Sequence, residues 1–220
     1  MKVYEMVEYA ADFNLAIGET PLIFYKRISK LMKIQLYVKR DDLYPLTGGG
    51  NKARKMQYIF NNARFKGSNA IVTAGGIQSN HVRVAALMAA ANGWPSIMII
   101  HAEKPKQDTL RGNLKLTALT GAELRFVEMK DVAAAMDDAM DDLFQKGRTP
   151  FYIWGGGHCV EGSYAYYQAV KELKEQFGEN KPDYILVASG TGTTQAGIEI
   201  GTRHFFPECQ VIGVSIARKN

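Results

Sequence analysis

Short apolar runs at residues 36–39, 70–73, 96–101, 123–128, 151–154, 184–188 and 211–214 read as strands, and most are separated by stretches of helical periodicity. Met56, Ile59, Phe60 and Ala63 recur at helical spacing ahead of Gly67, and Val84, Leu87, Met88 and Ala91 do so ahead of Gly93, each glycine standing where a helix stops. Between residues 131 and 146, Val132, Met136, Ala139, Met140 and Leu143 line one side of a helix. Asp137, Asp138, Asp141 and Asp142 line the other, and this acidic run is a solvated face with no catalytic work. Strands alternating with helices predict an α/β fold with parallel sheets, and no repeat or low-complexity linker interrupts it. The last strand, 211–214, is expected in the interior of such a sheet.

Three turns in this pattern carry candidate chemistry. Gly48-Gly49-Gly50-Asn51-Lys52-Ala53-Arg54-Lys55 sets Lys52 in the first turn of a helix, where its charge opposes the helix dipole unless the amine is neutral or engaged. An imine to an aldehyde would engage it; a solvated lysine in a basic helix also fits. Ala74-Gly75-Gly76-Ile77-Gln78-Ser79-Asn80-His81 gathers amide, hydroxyl and imidazole groups at a helix N-terminus, whose unpaired N–H groups can bind a carboxylate or phosphate. An ordinary cap by Ser79 or Asn80 accounts for the same turn. Ser189-Gly190-Thr191-Gly192-Thr193-Thr194-Gln195-Ala196-Gly197 follows a strand with glycines and hydroxyls suited to a phosphate monoester. A dinucleotide loop competes, but Gln195 stands where G-x-G-x-x-G needs its third glycine, and Lys52, between Asn51 and Ala53, is not in a Walker A motif.

Composition narrows the class without naming the reaction. The 220 residues, 46% of them hydrophobic, can bury one good core or two small ones. No apolar run approaches the roughly 18 residues of a membrane helix, and the opening Met1-Lys2-Val3-Tyr4-Glu5 is not a signal peptide, so a cytoplasmic protein is expected. Cys159 and Cys209 are too few for a disulfide framework. The net charge of +5 is spread among interleaved acids and bases, which argues against a nucleic-acid partner.

Taken in order, Thr20-Pro21-Leu22, Lys39-Arg40-Asp41-Asp42, Gly49-Gly50-Asn51-Lys52-x-Arg54-Lys55, the turn 74–81 and Ala188-Ser189-Gly190-Thr191-Gly192-Thr193 resemble D-cysteine desulfhydrase and 1-aminocyclopropane-1-carboxylate deaminase. These are pyridoxal-phosphate enzymes of fold type II, the tryptophan synthase β family, and the resemblance runs from about Gly18 to the last residue. It implies two three-layer parallel-sheet domains: a large cofactor domain of residues 1–54 and 161–220, and a small α/β domain of 55–160 inserted into it, with the cofactor between them.

By the same resemblance, Lys52 is the catalytic residue that bonds the aldehyde of pyridoxal 5'-phosphate and then moves the Cα proton. Asn80 hydrogen-bonds the cofactor's phenolic oxygen, and Gly190, Thr191, Gly192, Thr193 and Thr194 hold its phosphate. Ser79 stands beside the reacting centre and, with Gln78 and the backbone of Asn80 and His81, receives the carboxylate of a small amino acid. Lys52 must be neutral to attack, which requires burial or a nearby cation such as Lys55. The deaminases carry Gln where this chain has His81, which favours α,β-elimination from a thiol-bearing amino acid over ring opening, unless His81 contributes only its backbone N–H.

The chain departs from the family in two places. The turn Gly155-Gly156-Gly157-His158-Cys159-Val160-Glu161-Gly162 replaces a Gly-Gly-Ser-Asn type turn that faces substrate, and its adjacent His158 and Cys159 lack the further ligands of a metal site. The sequence also stops just after the strand 211–214, where the family continues. The expectation is either a fragment or shortened homologue, or a second polypeptide that completes the site; a chain of this length alone would expose the flank of its larger sheet. A homo-oligomer, or a second chain that completes the large domain, is the expected partner. A non-catalytic assembly subunit that keeps the fold stays open alongside the enzyme.

Overall fold

The computed structural model describes residues 19–105 and 110–216. Met1 to Glu5, read above as lacking a leader, Gly18, where the resemblance begins, and Ala217 to Asn220 lie outside the described residues. Two compact units are present, Met56–Cys159 and the described parts of Leu15–Lys55 with Val160–Asn220.

The first unit is built on a four-stranded sheet of β3 (Ala70–Gly75), β4 (Ser96–His101), β5 (Glu123–Val127) and β6 (Pro150–Ile153), in the order β5-β4-β3-β6. All its pairings are parallel, and β3 and β4 at its centre are buried along almost their whole length and apolar except at Thr73, Ser96 and His101, as suits strands covered on both faces. On one face Ala70, Val72, Ala74, Ile97 and Ile99 pack against Met136, Ala139 and Leu143 of α5 (Val132–Gln145). This is the apolar stripe read from sequence, and the Asp137–Asp142 side faces away from it. On the other face lies α3 (Asn80–Ala91), with α4 (Gly112–Leu119) against it. The result is a three-layer α/β unit.

The second unit contains an antiparallel pair, β1 (Leu22–Phe24) with β2 (Tyr37–Lys39), with helix α1 (Lys26–Met32) between them in sequence. It also contains a parallel pair, β7 (Tyr184–Ser189) with β8 (Gln210–Ser215). Helices α6 (Val160–Phe177) and α7 (Thr193–Phe205) pack closely because Gly197 and Gly201 face α6; a Cβ at Gly197 would collide with the carbonyl oxygen of Ser163. Helix α2 (Asn51–Phe65) begins in this unit, and the division between units falls within it, after Lys55.

Sequence reading missed β1, whose three residues give too short an alternation to register, and α4, whose apolar residues form no clear stripe. The strand expected in a sheet interior, now β8, pairs among the described residues with β7 alone. Register pairing places Leu186 beside Ile212 and Ala188 beside Val214 on one face. Leu186 is 68% exposed and Val214 52%, so this face is apolar and bare.

Candidate functional site

In the second unit the chain reaches α2 through four successive residues of left-handed backbone, Thr47 (φ 50°), Gly48 (81°), Gly49 (73°) and Gly50 (89°). Glycine is required at 49 on a second count, since a Cβ there would strike the carbonyl oxygen of Asp42. The Gly50 N–H donates to the main-chain oxygen of Asp41 at 2.7 Å, fixing the loop just before Lys52. Lys52 lies in the first turn of α2, half-buried, and burial holds its amine below the ordinary lysine range. Burial was one of the two causes considered from sequence.

The next element of this half-site is the start of α7. Gly192 caps that helix in a left-handed conformation (φ 83°), and no side chain caps it. Thr193 and Thr194 are buried, and the Thr191 and Thr193 hydroxyls are 3.1 Å apart. Asn51 Nδ2 donates to Thr194 Oγ1 at 3.3 Å, so the first turns of α2 and α7 meet, and Lys52 stands next in sequence to the residue that joins them. An uncapped helix start lined by hydroxyls is suited to a phosphate.

A buried charge network anchors this arrangement. Arg54 is 2% exposed and forks onto two carboxylates: Nε and Nη2 donate to Asp41 at 3.0 and 2.8 Å, and Nη1 and Nη2 to Glu172 on α6 at 2.5 and 3.1 Å. Asp41 also accepts from Tyr166 Oη at 2.6 Å and Thr20 Oγ1 at 2.8 Å, while Lys39 Nζ lies 2.7 Å from Glu172. Burial works to raise the Asp41 pKa, but the guanidinium of Arg54 and the two hydroxyls more than offset it and hold the carboxyl below its ordinary value.

In the first unit, the turn after β3 ends on Ser79, which caps α3; its hydroxyl accepts from the Val82 N–H at 3.2 Å. The capping alternative open at the sequence level is therefore what the Ser79 side chain does. Asn80 Oδ1 accepts from Asn113 Nδ2 at 2.9 Å. The Gln78 side chain is committed to the start of α4, accepting from the Asn113 N–H at 2.9 Å and donating to the Arg111 carbonyl at 3.1 Å. His81 is buried, its Nε2 2.8 Å from Thr73 Oγ1. Because that hydroxyl donates to the Ile153 carbonyl at 2.7 Å, the imidazole is the donor in the pair. The His81 ring thus points into the unit's core, and its backbone N–H is what the helix N-terminus can offer a ligand. The turn Gly155–Gly157 has φ of 72° at Gly156 and 67° at Gly157; His158 after it is exposed.

Residues 13–220 match the family model described as pyridoxal-phosphate dependent enzyme. The chain belongs to that family. A D-cysteine desulfhydrase of Serratia proteamaculans is 33% identical over 225 residues, covering 100% of this chain and 68% of that protein. A protein of Pyrococcus furiosus, named provisionally as a 1-aminocyclopropane-1-carboxylate deaminase, is 34% identical and covers 99% of this chain and 66% of its own length. The crystal structure of an ACC deaminase homologue superposes with a TM-score of 0.86 at 32% identity, covering 100% of this chain and 68% of that one. An aspartate racemase at 18% identity and TM-score 0.74 shares the fold. The fold type II architecture and the cofactor expected from sequence are those of this family. The chain spans about two thirds of the length of these relatives.

Pyridoxal phosphate asks for a lysine amine that can go neutral, a phosphate cradle and a donor for its phenolic oxygen. The half-buried Lys52, the uncapped start of α7 and the Asn80 carboxamide fit those needs, each within its own unit. Sequence reading missed Asn51, Asn113 and the Arg54 network. Asn51 adjoins a residue already singled out, whereas Asn113 lies far along the chain from Asn80, with no signal linking them.

Proposed function

We propose that this chain is a pyridoxal-phosphate-dependent lyase that removes a β-substituent from a small amino acid, with D-cysteine as the first candidate and a keto acid, ammonia and sulfide as products. The observation that carries it is the junction at Asn51 and Thr194, which sets a half-buried lysine with a lowered pKa beside an uncapped, hydroxyl-lined helix start.

When bound, the cofactor supplies a sink for the electron pair left at the substrate's Cα. Lys52 Nζ would hold the cofactor aldehyde and, once the substrate amine has displaced it there, would be the free neutral amine that takes the Cα proton. Gly190 to Thr194 hold the phosphate through backbone N–H groups and threonine hydroxyls. Asn80 donates to the phenolic oxygen. The N–H groups of Asn80 and His81 at the start of α3 receive the substrate carboxylate, with Ser79 beside the reacting centre as cap and Gln78 shaping the turn. Departure of the thiolate, return of a proton to the former Cβ and addition of water at the former Cα, which displaces the amine, would release sulfide, the keto acid and ammonia.

The deaminase relatives support ring opening of 1-aminocyclopropane-1-carboxylate as the alternative. Since the His81 imidazole is turned into the core, the choice rests on substrate tests rather than on that side chain. Supplied with cofactor, the chain is expected to release sulfide and pyruvate from D-cysteine faster than 2-oxobutyrate from the cyclopropane substrate. The reverse order would replace elimination with ring opening, and no product from either would favour the assembly-subunit reading.

The bare apolar face of β7 and β8 supports association, with a second copy or with a chain that completes the large unit. Sedimentation of the purified chain is expected to show species larger than a monomer, which Leu186→Lys diminishes. A monomer at all concentrations would dismiss self-association. Among the described residues no helix is long and apolar enough to cross a membrane.

A further inference from the structure

Three side-chain amides, Gln78, Asn80 and Asn113, meet at the start of α3 in the first unit; main-chain groups set the orientation of Gln78 and Asn113, and Asn113 in turn sets that of Asn80. Asn113 Nδ2 lies 2.9 Å from the main-chain oxygen of Gln78, which can only accept, so this end of the Asn113 amide is its NH2. The same NH2 lies 2.9 Å from the Asn80 side chain, which must therefore present its oxygen there. The main-chain N–H of Asn113 can only donate, and it fixes the oxygen of Gln78 at 2.9 Å; the Gln78 NH2 then falls on the Arg111 carbonyl at 3.1 Å. No member can turn over without setting donor against donor or acceptor against acceptor. Gly112, at φ 58°, completes the fit, since a Cβ there would collide with the Gln78 side-chain oxygen.

We infer that Asn113 is a positioning residue: by holding the Asn80 oxygen, it compels the Asn80 NH2 to remain the group offered to the cofactor's phenolic oxygen. The inference rests on the proposed contact of Asn80 with that oxygen and adds the device that makes this amide a fixed donor. An unrestrained asparagine could present either end, and its oxygen would meet an anionic phenolate unfavourably. With Asn113 in place the donor is set before the cofactor arrives, and the ordering cost is met in folding.

The test compares Asn113→Ala, Asn113→Asp, Asn80→Ala and the double alanine variant, each titrated with pyridoxal phosphate. The readouts are the dissociation constant, the pH midpoint of the bound cofactor's visible band, and the thermal midpoint without cofactor. Loss of one hydrogen bond predicts an affinity about 2- to 10-fold weaker for either alanine variant. Both should move the spectral midpoint the same way, with the double variant close to Asn80→Ala alone. Asn113→Asp should exceed Asn113→Ala, because the new carboxylate draws the Asn80 NH2 to itself and turns its oxygen toward the cofactor. If Asn80→Ala moves the spectrum while both Asn113 variants leave it at the parent value, whatever they do to thermal stability, the inference is overturned and the reading of Asn80 stands. If Asn80→Ala leaves the spectrum unmoved, the reading of Asn80 fails, and the inference with it.

Discussion

Lys52→Ala is expected to reduce keto-acid release to background in a coupled assay, a fall of at least about 1000-fold. Positioned proton transfer alone contributes about 100- to 10,000-fold, and this variant loses the covalent anchor as well. The loss is specific to the amine: Arg54, Asp41 and the glycine loop that set the first turn of α2 make their contacts without it. Retention of turnover within about 10-fold of the parent would remove Lys52 from the chemistry. The sign of the pH dependence follows from burial, which lowers the Lys52 pKa. The neutral amine gains population as pH rises through that lowered value, so cofactor attachment should accelerate with pH and level off below the ordinary lysine pKa of about 10.4.

Arg54→Ala carries the largest expected effect on stability. It leaves Asp41 and Glu172, at 16% and 19% side-chain exposure, facing each other without the guanidinium that joins them. Removing one partner of a buried ion pair costs about 3–5 kcal/mol. Urea denaturation should show a loss of that order, and one under about 1 kcal/mol would mean that water or Lys39 takes over the role. Arg54→Lys should recover only part of it, because an ammonium cannot fork onto two carboxylates. The cost reaches the site, since Asp41 holds Arg54 with its side chain and the Gly50 N–H with its main chain. Asp41 titrates below its unfolded value, so its contribution is complete above about pH 4 and is lost as pH falls from there through the folded pKa. The variant and the parent should therefore converge in acid.

How much of this was legible in the sequence depended on the range of the interaction. The apolar stripe from Val132 to Leu143 and the largely apolar β3 and β4 are local patterns, and they led directly to a parallel α/β sheet, while the three-layer arrangement came from the resemblance. Lys52, the start of α3 and the loop before α7 sit where a glycine turn enters a helix, which composition and spacing also reveal. Arg54 entered only as part of the motif around Lys52, with no role of its own, because its partners are remote: Asp41 precedes it, but Glu172 lies on another helix. Asn113 is likewise remote from Asn80. The ring of His81 invited a substrate role by its place in the motif, yet its direction was set by Thr73 and the Ile153 carbonyl, which periodicity cannot show.

Reduction of the cofactor-loaded chain with borohydride, followed by peptide mapping, tests most directly whether Lys52 is the residue that binds pyridoxal phosphate. One labelled peptide spanning Lys52, with loss of the yellow band, is the expected result. Label on another lysine, or spread over the surface lysines with no band beforehand, would contradict it.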